Sequence, residues 1–203
     1  LPALVQKHLS TRYERPVAEH SRKAFEQLLS ALEQRRPLVL DSFCGTGHST
    51  ATLAREHPGH LVVGVDRSAD RLARHPDPAA EGYLLLQADC EDIWHLLLQH
   101  GIGVEHHYLL YPNPWPKRKH LGRRIHGHAA FSWLLGLGGT VELRTNWQLY
   151  AEEFGMAMYL AGHPGVVSEL TGQQPLSLFE RKYRDSGHRL WRFVGRAGTP
   201  RLP

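Results

Sequence analysis

The sequence predicts an α/β fold in which helices cover both faces of a mostly parallel, doubly wound sheet. Short apolar runs alternate with segments of helical periodicity along most of the 203 residues, and several runs end in glycine, proline or aspartate. A chain of this length is typical of one domain. We expect a single domain over residues 1–203, in which residues 1–36 form a helical lead-in.

The first half of the chain predicts three strand–helix units after the lead-in helix. Apolar residues at helical spacing predict a helix over 18–34, and Pro37 separates it from the first apolar run. The expected strands are residues 38–43, 61–66 and 83–87. The expected helices are residues 49–56, a short helix after the second strand, and residues 93–100. The short helix is expected to be capped by Ser68 and ended by Pro76 and Pro78.

The second half of the chain continues this alternation. Pro112 ends a fourth apolar run over 108–111, and two glycines precede a fifth over 140–145. Helices are predicted over 126–135 and 147–161. The remainder is predicted to be a polar and basic loop, followed by a strand over 190–194.

Basic residues are concentrated in two segments of the chain. The 24 lysines and arginines exceed the 20 aspartates and glutamates by four. Residues 106–141 and 181–203 together contain twelve of these basic residues but one acidic residue, Asp185. This segregation indicates a basic face that binds a polyanion, with nucleic acid as the first candidate and a solvated surface without a partner as the alternative.

The ends of the first two strands carry residues expected to bind a ligand, because ligands of open α/β sheets bind beyond the carboxyl ends of the strands. The run DSFCGTG brings Asp41, Gly45 and Gly47 to this edge. The glycines allow a tight turn and a close approach of the ligand to the backbone. Asp66, 19 residues after Gly47, is placed to accept hydrogen bonds from two ribose hydroxyls.

This set favours an adenosine-bearing ligand other than a dinucleotide. A dinucleotide site usually has a third glycine three residues after the second, and that position is Thr50 here. Asp89 follows the third strand, where its carboxylate is placed to accept the adenine amino group. The alternative for Asp89 is a helix cap before Glu91 and Asp92.

The segment after the fourth strand is the most informative about a substrate. Prolines on both sides of Asn113 fix the backbone, so that its carbonyl and side chain can face a base edge. Trp115 offers a stacking surface for an unpaired base, worth about 1–3 kcal/mol in single-strand binders. A proline-rich structural turn is the alternative. The basic residues that follow are expected to hold phosphates: Lys117, Arg118, Lys119, Arg123 and Arg124, helped by Arg181, Lys182 and Arg184.

Four runs of the sequence occur in an order known from one enzyme family. They are PNPWPKRKHLGRR, TNWQLYAE at 145–152, SLFE at 177–180 and GHRLW at 187–191. They resemble the PDPWxK run with its basic cluster, the TDWxxYAE run, the TxFE run and the GHxxW-like tail of the bacterial tRNA (guanine-N7)-methyltransferases. The resemblance extends from about Val39 to Phe193.

The resemblance implies a Rossmann-like class I methyltransferase fold, S-adenosyl-L-methionine as cofactor, and transfer of a methyl group to guanine N7 of tRNA or to another RNA. It implies cofactor contacts at Asp41, Gly45, Gly47, Asp66 and Asp89, and a central site residue at Asn113. It also implies substrate contacts at Lys117, Asn146, Ser177 and Glu180, to which the basic run adds Arg123 and Arg124.

The departures from the family pattern lie at the centre of the site. The family has Asp where this chain has Asn113 and Asn146, Thr where it has Ser177, and E-I-G-x-G-x-G where it has DSFCGTG. A carboxylate beside guanine N1 and N2 orients the base and stabilises the positive charge it acquires, whereas an amide brings no charge. Each loss is worth about 1–3 kcal/mol, so N7 methylation is expected to be weakened but retained, with Glu180 as a remaining carboxylate.

Two other functions fit these residues. The Asn113-Pro114-Trp115 run resembles the N-P-P-aromatic motif of amino-group methyltransferases, although it is one residue short. This resemblance favours methylation of an exocyclic amine of RNA or of a smaller substrate. The third possibility is a catalytically weak RNA-binding paralogue.

The remaining composition excludes several classes. Two cysteines, Cys44 and Cys90, are too few for a disulfide scaffold and fit a cytoplasmic protein. None of the 15 histidines forms an HExxH or zinc-spaced set, so no metal is expected. No apolar run approaches the roughly 20 residues of a membrane helix. We expect a monomer or homodimer without a membrane contact.

Overall fold

The computed structural model describes residues 1–76, 82–172 and 174–198 of the chain. Within these residues, the strands of one sheet are β1 (Leu38–Ser42), β2 (Leu61–Asp66), β3 (Tyr83–Gln87), β4 (His106–Leu110), β5 (Gly139–Thr145), β6 (Gly165–Glu169) and β7 (Trp191–Ala197). Their order across the sheet is β3-β2-β1-β4-β5-β7-β6. β1 to β5 pair in parallel, while β7 runs antiparallel to β5 and β6. The predicted mostly parallel sheet is confirmed.

Helices lie on both faces of this sheet. They are α1 (Pro2–Ser10), α2 (Glu19–Leu32), α3 (His48–Glu56), α4 (Ala69–Leu72), α5 (Cys90–Gln99), α6 (Phe131–Gly136), α7 (Gln148–Leu160) and α8 (Leu178–Asp185), with 3-10 turns at Arg118–Arg123 and Ile125–Gly127. Among the described helices, none combines the length and apolar character needed to cross a membrane.

The core is divided between the two faces because successive strand residues point to opposite sides. Leu40 of β1 belongs to a large cluster that includes Phe25 of α2 and Phe154 of α7. Its neighbour Val39 belongs to a smaller cluster with Leu53 of α3. β1 and β2 are buried along their whole length, which explains why their sequences are continuous apolar runs rather than alternating ones.

Several elements differ from the sequence prediction. The helix predicted over 126–135 is interrupted, because His128 is extended between a 3-10 turn and α6. The predicted helical lead-in over 1–36 contains two helices, α1 and α2, although only the second was given bounds. The prediction missed β6 and α8, which it placed within a loop. The predicted Ser68 cap is confirmed, since its hydroxyl accepts a bond from the Arg71 amide. Pro78, predicted to help end that helix, lies outside the described residues.

Candidate active site

The loop after β1, residues 43–47, is called the glycine loop. Gly45 has a φ of +62°, and a Cβ atom at this position would meet no atom within 4 Å. Gly47 has a φ of +78°, and a Cβ atom there would lie 2.7 Å from the Leu85 side chain. Gly45 therefore leaves space for a ligand to approach the backbone, whereas Gly47 is required by close packing and backbone conformation.

Phe43 occupies the position at which the family pattern has its first glycine. Its φ of +64° lies in the left-handed region that favours glycine. The Phe43 ring packs edge-on against Trp94, with 5.9 Å between ring centroids. Phe43 thus adopts a backbone conformation that favours glycine, and its ring adds a packing contact.

Asp66 joins the glycine loop to the end of β2. One carboxylate oxygen accepts a hydrogen bond from the Gly45 amide at 3.0 Å, and the other accepts one from the Ser68 amide at 2.9 Å. Each carboxylate oxygen has two lone pairs, so these bonds leave acceptor capacity for ligand hydroxyls.

Asp41 is fully buried beneath the glycine loop. Its Oδ2 accepts hydrogen bonds from the hydroxyls of Ser49 and Thr50 at 2.7 and 2.8 Å, so it holds the start of α3. Its Oδ1 has no hydrogen-bond partner within the described part of the chain. Burial raises the pKa of Asp41 to about 6, although the two hydroxyls lower it. Because Asp41 has no exposed surface, the direct cofactor contact predicted for it remains a prediction.

Asp89 stands at the start of α5 and faces the N-terminal segment. Asp89 is the N-cap residue of α5, as the alternative predicts, but its side chain makes no capping hydrogen bond. One carboxylate oxygen lies 3.5 Å from His20 Nε2 and 3.9 Å from Arg15 Nη2. Arg15 is fixed by Asp92 at 2.6 Å. Sequence reasoning missed Arg15 and His20, because a contact across more than 60 residues leaves no local signal.

The segment that carries Asn113, residues 111–116, forms a tight turn after β4 and is called the Asn113 segment. Tyr111 and Trp115 have φ values of +54° and +44°. Asn113 is exposed, and its Oδ1 accepts a hydrogen bond from the Trp115 amide at 3.3 Å. The side-chain oxygen of Asn113 therefore faces its own backbone, which is typical of an Asx turn.

Exposed cations follow the Asn113 segment. Lys117, Arg118, Lys119 and Arg123 are all exposed. The guanidinium carbon of Arg123 lies 4.8 Å from the centre of the Trp115 ring. These side chains place positive charge beside Asn113, as the sequence predicts.

Arg124 does not belong to this exposed group. It is buried, and it donates hydrogen bonds to the Glu153 carboxylate and to the Trp115 carbonyl oxygen. Its guanidinium also lies 5.0 Å from the centre of the Trp147 ring. The predicted RNA contact of Arg124 is therefore wrong, since this side chain holds the Asn113 segment against α7.

The SLFE run begins α8, and its polar groups are engaged within the protein. The Ser177 hydroxyl accepts a hydrogen bond from the Glu180 amide at 3.1 Å, which is half of a capping box. Glu180 is fully buried and accepts a bond from Arg144 at 3.0 Å. Burial raises the pKa of Glu180, although the charge of Arg144 lowers it. Glu180 is thus closed to a substrate, contrary to the prediction.

Asn146 lies half-buried immediately after β5, which pairs with β4. Tyr183 of α8 packs against Tyr111 with 5.6 Å between ring centroids. The end of β5 and α8 therefore both lie beside the Asn113 segment. The structure brings this segment and the glycine loop to one edge, since β1 and β4 are parallel neighbours.

A family model described as "Putative methyltransferase" matches residues 35–192. The chain belongs to this methyltransferase family. It is 31% identical over 169 residues to a tRNA (guanine-N(7)-)-methyltransferase of Nocardioides sp., an alignment that covers 76% of this chain and 65% of the relative. It is 28% identical over 174 residues to the enzyme of that name from Acinetobacter baylyi, with 78% of this chain and 69% of the relative covered. The chain thus spans about two thirds of the length of these relatives.

Solved methyltransferases share the fold. The 16S rRNA methyltransferase KamB superposes with a TM-score of 0.63 at 20% identity, covering 92% of this chain and 97% of that one. A 16S rRNA (adenine(1408)-N(1))-methyltransferase from Catenulisporales acidiphilia superposes with a TM-score of 0.59 at 17% identity, covering 88% and 93%. The predicted class I methyltransferase fold is confirmed.

The residues of this methyltransferase fit S-adenosyl-L-methionine, the cofactor of the class. The open side of Gly45 accommodates a ligand against the backbone, and Asp66 retains acceptors for ribose hydroxyls. The unpartnered Asp41 Oδ1 places negative charge beneath the loop, which suits a ligand with a sulfonium and an ammonium group better than a diphosphate. In the described residues, no cluster of His, Cys, Asp or Glu is arranged to hold a metal ion.

Proposed function

We propose that this methyltransferase transfers a methyl group from S-adenosylmethionine to N7 of a guanine in tRNA, in the cytoplasm. The observation that carries this proposal is the position of the Asn113 segment. It places an exposed amide, a tryptophan and exposed cations at the edge of the sheet that holds the glycine loop. The named activity of the relatives supports guanine N7 as the acceptor.

The cofactor pocket is formed by the strand ends. Asp66 would hold the ribose hydroxyls, Asp89 the adenine amino group, and Gly45 the methionine end. When bound, S-adenosylmethionine supplies an electrophilic methyl group on a positively charged sulfur. N7 of guanine already has a lone pair and needs no deprotonation. The residues of the chain therefore have to align the acceptor with this methyl group.

The acceptor base would be oriented by amides. Asn113 and Asn146 can each form hydrogen bonds with a base edge but bring no negative charge. Glu180 brings none either, because Arg144 and Arg184 surround its carboxylate. The site therefore relies on orientation more than on stabilising the positive charge that methylation places on guanine.

The RNA backbone would bind the exposed cations. Lys117 and Arg123 lie on the solvent side of the Asn113 segment, where they can bind phosphates. Arg181 and Lys182 of α8 are exposed as well and extend this surface. Such ion pairs make RNA binding depend on salt, and the salt slope becomes smaller by about one unit for each cation–phosphate pair that is removed.

Methylation of an exocyclic amine is a second candidate, and the amides at 113 and 146 favour it. An amide oxygen can accept a hydrogen from an amino group, as a carboxylate would, without placing a negative charge beside the base. The Asn113 oxygen would first have to leave the Trp115 amide, to which it is bonded at 3.3 Å.

The test is incubation with labelled S-adenosylmethionine and bulk tRNA that lacks N7-methylguanosine, followed by digestion and identification of the labelled nucleoside. We expect N7-methylguanosine, and much less label with the variant Asp66→Ala at the same cofactor concentration. Label in an amino-methylated nucleoside would favour the second candidate. Cofactor binding without any labelled nucleoside would reject both reactions on tRNA and favour a different substrate or an RNA-binding paralogue.

A further inference from the structure

His75 reaches the glycine loop from outside the family's motifs. It follows α4 and is 6% exposed. Its Nδ1 lies 2.8 Å from the carbonyl oxygen of Thr46, and its Nε2 lies 2.5 Å from the hydroxyl of Tyr83. A Cβ atom at Gly47 would lie 3.1 Å from Nδ1, so the ring also packs directly against the loop.

These contacts define the proton positions on His75. A carbonyl oxygen can only accept, so Nδ1 carries a proton and donates to Thr46. In the neutral ring Nε2 then accepts from the Tyr83 hydroxyl. The imidazole is therefore fixed at both nitrogens, on one side by the loop and on the other by the start of β3.

His75 completes a clamp on the loop backbone. Asp66 accepts from the amide of Gly45 at 3.0 Å on one side, and His75 donates to the carbonyl of Thr46 on the other. These groups belong to adjacent residues, and Gly45 has the conformational freedom of a glycine at positive φ. Without the bond from His75, the Thr46 peptide can rotate and change the surface that a ligand meets.

We propose that His75 is a positioning residue for the cofactor, which holds the glycine loop in its binding conformation through the Thr46 carbonyl. The proposal rests on the cofactor assigned above. It explains a buried histidine that belongs to none of the four family runs. The side chain of Thr46 has a separate contact, since its hydroxyl lies 2.9 Å from Nδ1 of His48. His48 therefore holds the Thr46 side chain, while His75 holds the backbone.

Two substitutions at the same position separate this role from general packing. In His75→Asn the amide nitrogen takes the place of Nδ1 and can still donate to Thr46. In His75→Gln the amide lies near the position of Nε2, so it can bond to Tyr83 but no longer reaches the Thr46 carbonyl. Tyr83→Phe removes the hydroxyl and leaves the bond to Thr46 in place.

We expect His75→Gln to weaken binding of S-adenosylhomocysteine about fivefold to tenfold, as measured by calorimetry. His75→Asn and Tyr83→Phe should remain within about threefold of the wild type. Amide hydrogen exchange of a peptide covering the glycine loop should rise in His75→Gln and not in His75→Asn. Equal weakening by the Asn and Gln variants, or lowered Tm in both without a change in affinity, would overturn the proposal.

Cofactor binding by the wild type, together with loop exchange in the variant, distinguishes a failure of this inference from a failure of the proposed function. If the wild type does not bind S-adenosylhomocysteine, the cofactor assignment fails, and with it the role of His75 in cofactor binding. Should the wild type bind and the Gln variant show normal affinity and normal loop exchange, only the role of His75 fails.

Discussion

The sheet edge described above has two parts. We call the glycine loop with Asp66 the cofactor edge, and the Asn113 segment with its neighbours on α7 and α8 the substrate edge. These two parts use charged residues in opposite ways. At the cofactor edge, Asp66 accepts one backbone amide on each oxygen and keeps capacity for a ligand. At the substrate edge, Arg124 and Glu180 are buried in ion pairs with Glu153 and Arg144. The position of a residue at a strand end follows from topology, whereas the partner of a long charged side chain depends on the whole fold.

Among the substitutions that test this contrast, we expect Arg124→Ala to have the largest effect on stability. Arg124→Ala removes the cationic partner of Glu153 and frees the Trp115 carbonyl oxygen. Among the described residues, Glu153 then keeps only the neighbouring His126, whose pKa is lowered by burial. We expect the free energy of unfolding to fall by about 3 kcal/mol, as for a broken buried ion pair. Urea unfolding measures this change.

Arg123→Ala is the matched control, because it removes the neighbouring exposed arginine. We expect its stability to stay within about 0.5 kcal/mol of the wild type. Its RNA affinity should fall, with the salt slope smaller by about one unit. Equal stability losses in the two variants would mean that Arg124 is not the internal anchor described above.

The charge beneath the glycine loop makes stability depend on pH. The pKa of Asp41 rises from 3.8 to about 6 on folding. A raised pKa stabilises the fold at pH values below 3.8, and this contribution is lost as the pH rises to about 6. The loss is up to about 3 kcal/mol at 1.36 kcal/mol per unit. Asp41→Asn should remove this dependence, so its stability relative to the wild type should increase between pH 4 and pH 7.

Urea unfolding of both proteins across this range is the measurement. The Asn variant can still accept from Ser49 and Thr50 through its side-chain oxygen, so the comparison isolates the charge. A difference in stability that does not change with pH would show that Asp41 titrates normally in the folded protein.

Asp66→Ala tests the cofactor edge directly. We expect the affinity for S-adenosylhomocysteine to fall about 100-fold, or about 2.7 kcal/mol, because this variant removes both the ribose acceptors and the bond to the Gly45 amide. Asp70→Ala is the control, since Asp70 is exposed on α4. Circular dichroism should show that both variants are folded. Retained affinity in Asp66→Ala would place the cofactor elsewhere.

The smallest effect is expected from restoring the carboxylates of the family pattern. Asn113→Asp and Asn146→Asp should each raise kcat for guanine N7 about tenfold or less, because a carboxylate stabilises positive charge on the base. Single-turnover methylation of tRNA measures this rate. A loss of rate in both variants would favour the amino-group reaction and sharpen the contrast between an amide site and a carboxylate site.

The sequence predicts the first five strands of the sheet better than it predicts the elements in the last third of the chain. β1 to β5 occur within two residues of their predicted bounds, because buried parallel strands are short apolar runs bounded by glycine and proline. α8 is absent from the prediction, because the SLFE run indicates a substrate motif, although S-x-x-E is also a capping signal. β6 has two apolar residues and lies at the sheet edge, so no periodicity marks it.

The sequence also predicts which site residues stand at the ends of strands, but it cannot tell exposed from internal charges. Arg123 and Arg124 are adjacent and chemically identical, yet one is exposed and the other is buried. They differ in their internal partners, since Arg124 meets Glu153 on α7, 29 residues later, and the Trp115 carbonyl oxygen.

In the free protein, the Arg123 guanidinium competes with a stacked base for the Trp115 ring. The guanidinium occupies a face of the ring that a stacked base would need, at 4.8 Å from the ring centre. Such a contact is worth about 0.5–1 kcal/mol at an exposed site, against about 1–3 kcal/mol for a stacked base. A base can therefore displace Arg123, and the released guanidinium then becomes available to an incoming phosphate. In the proposed RNA complex, base stacking and phosphate binding are linked in this way, so a free nucleobase should bind more weakly than the same base within an RNA chain.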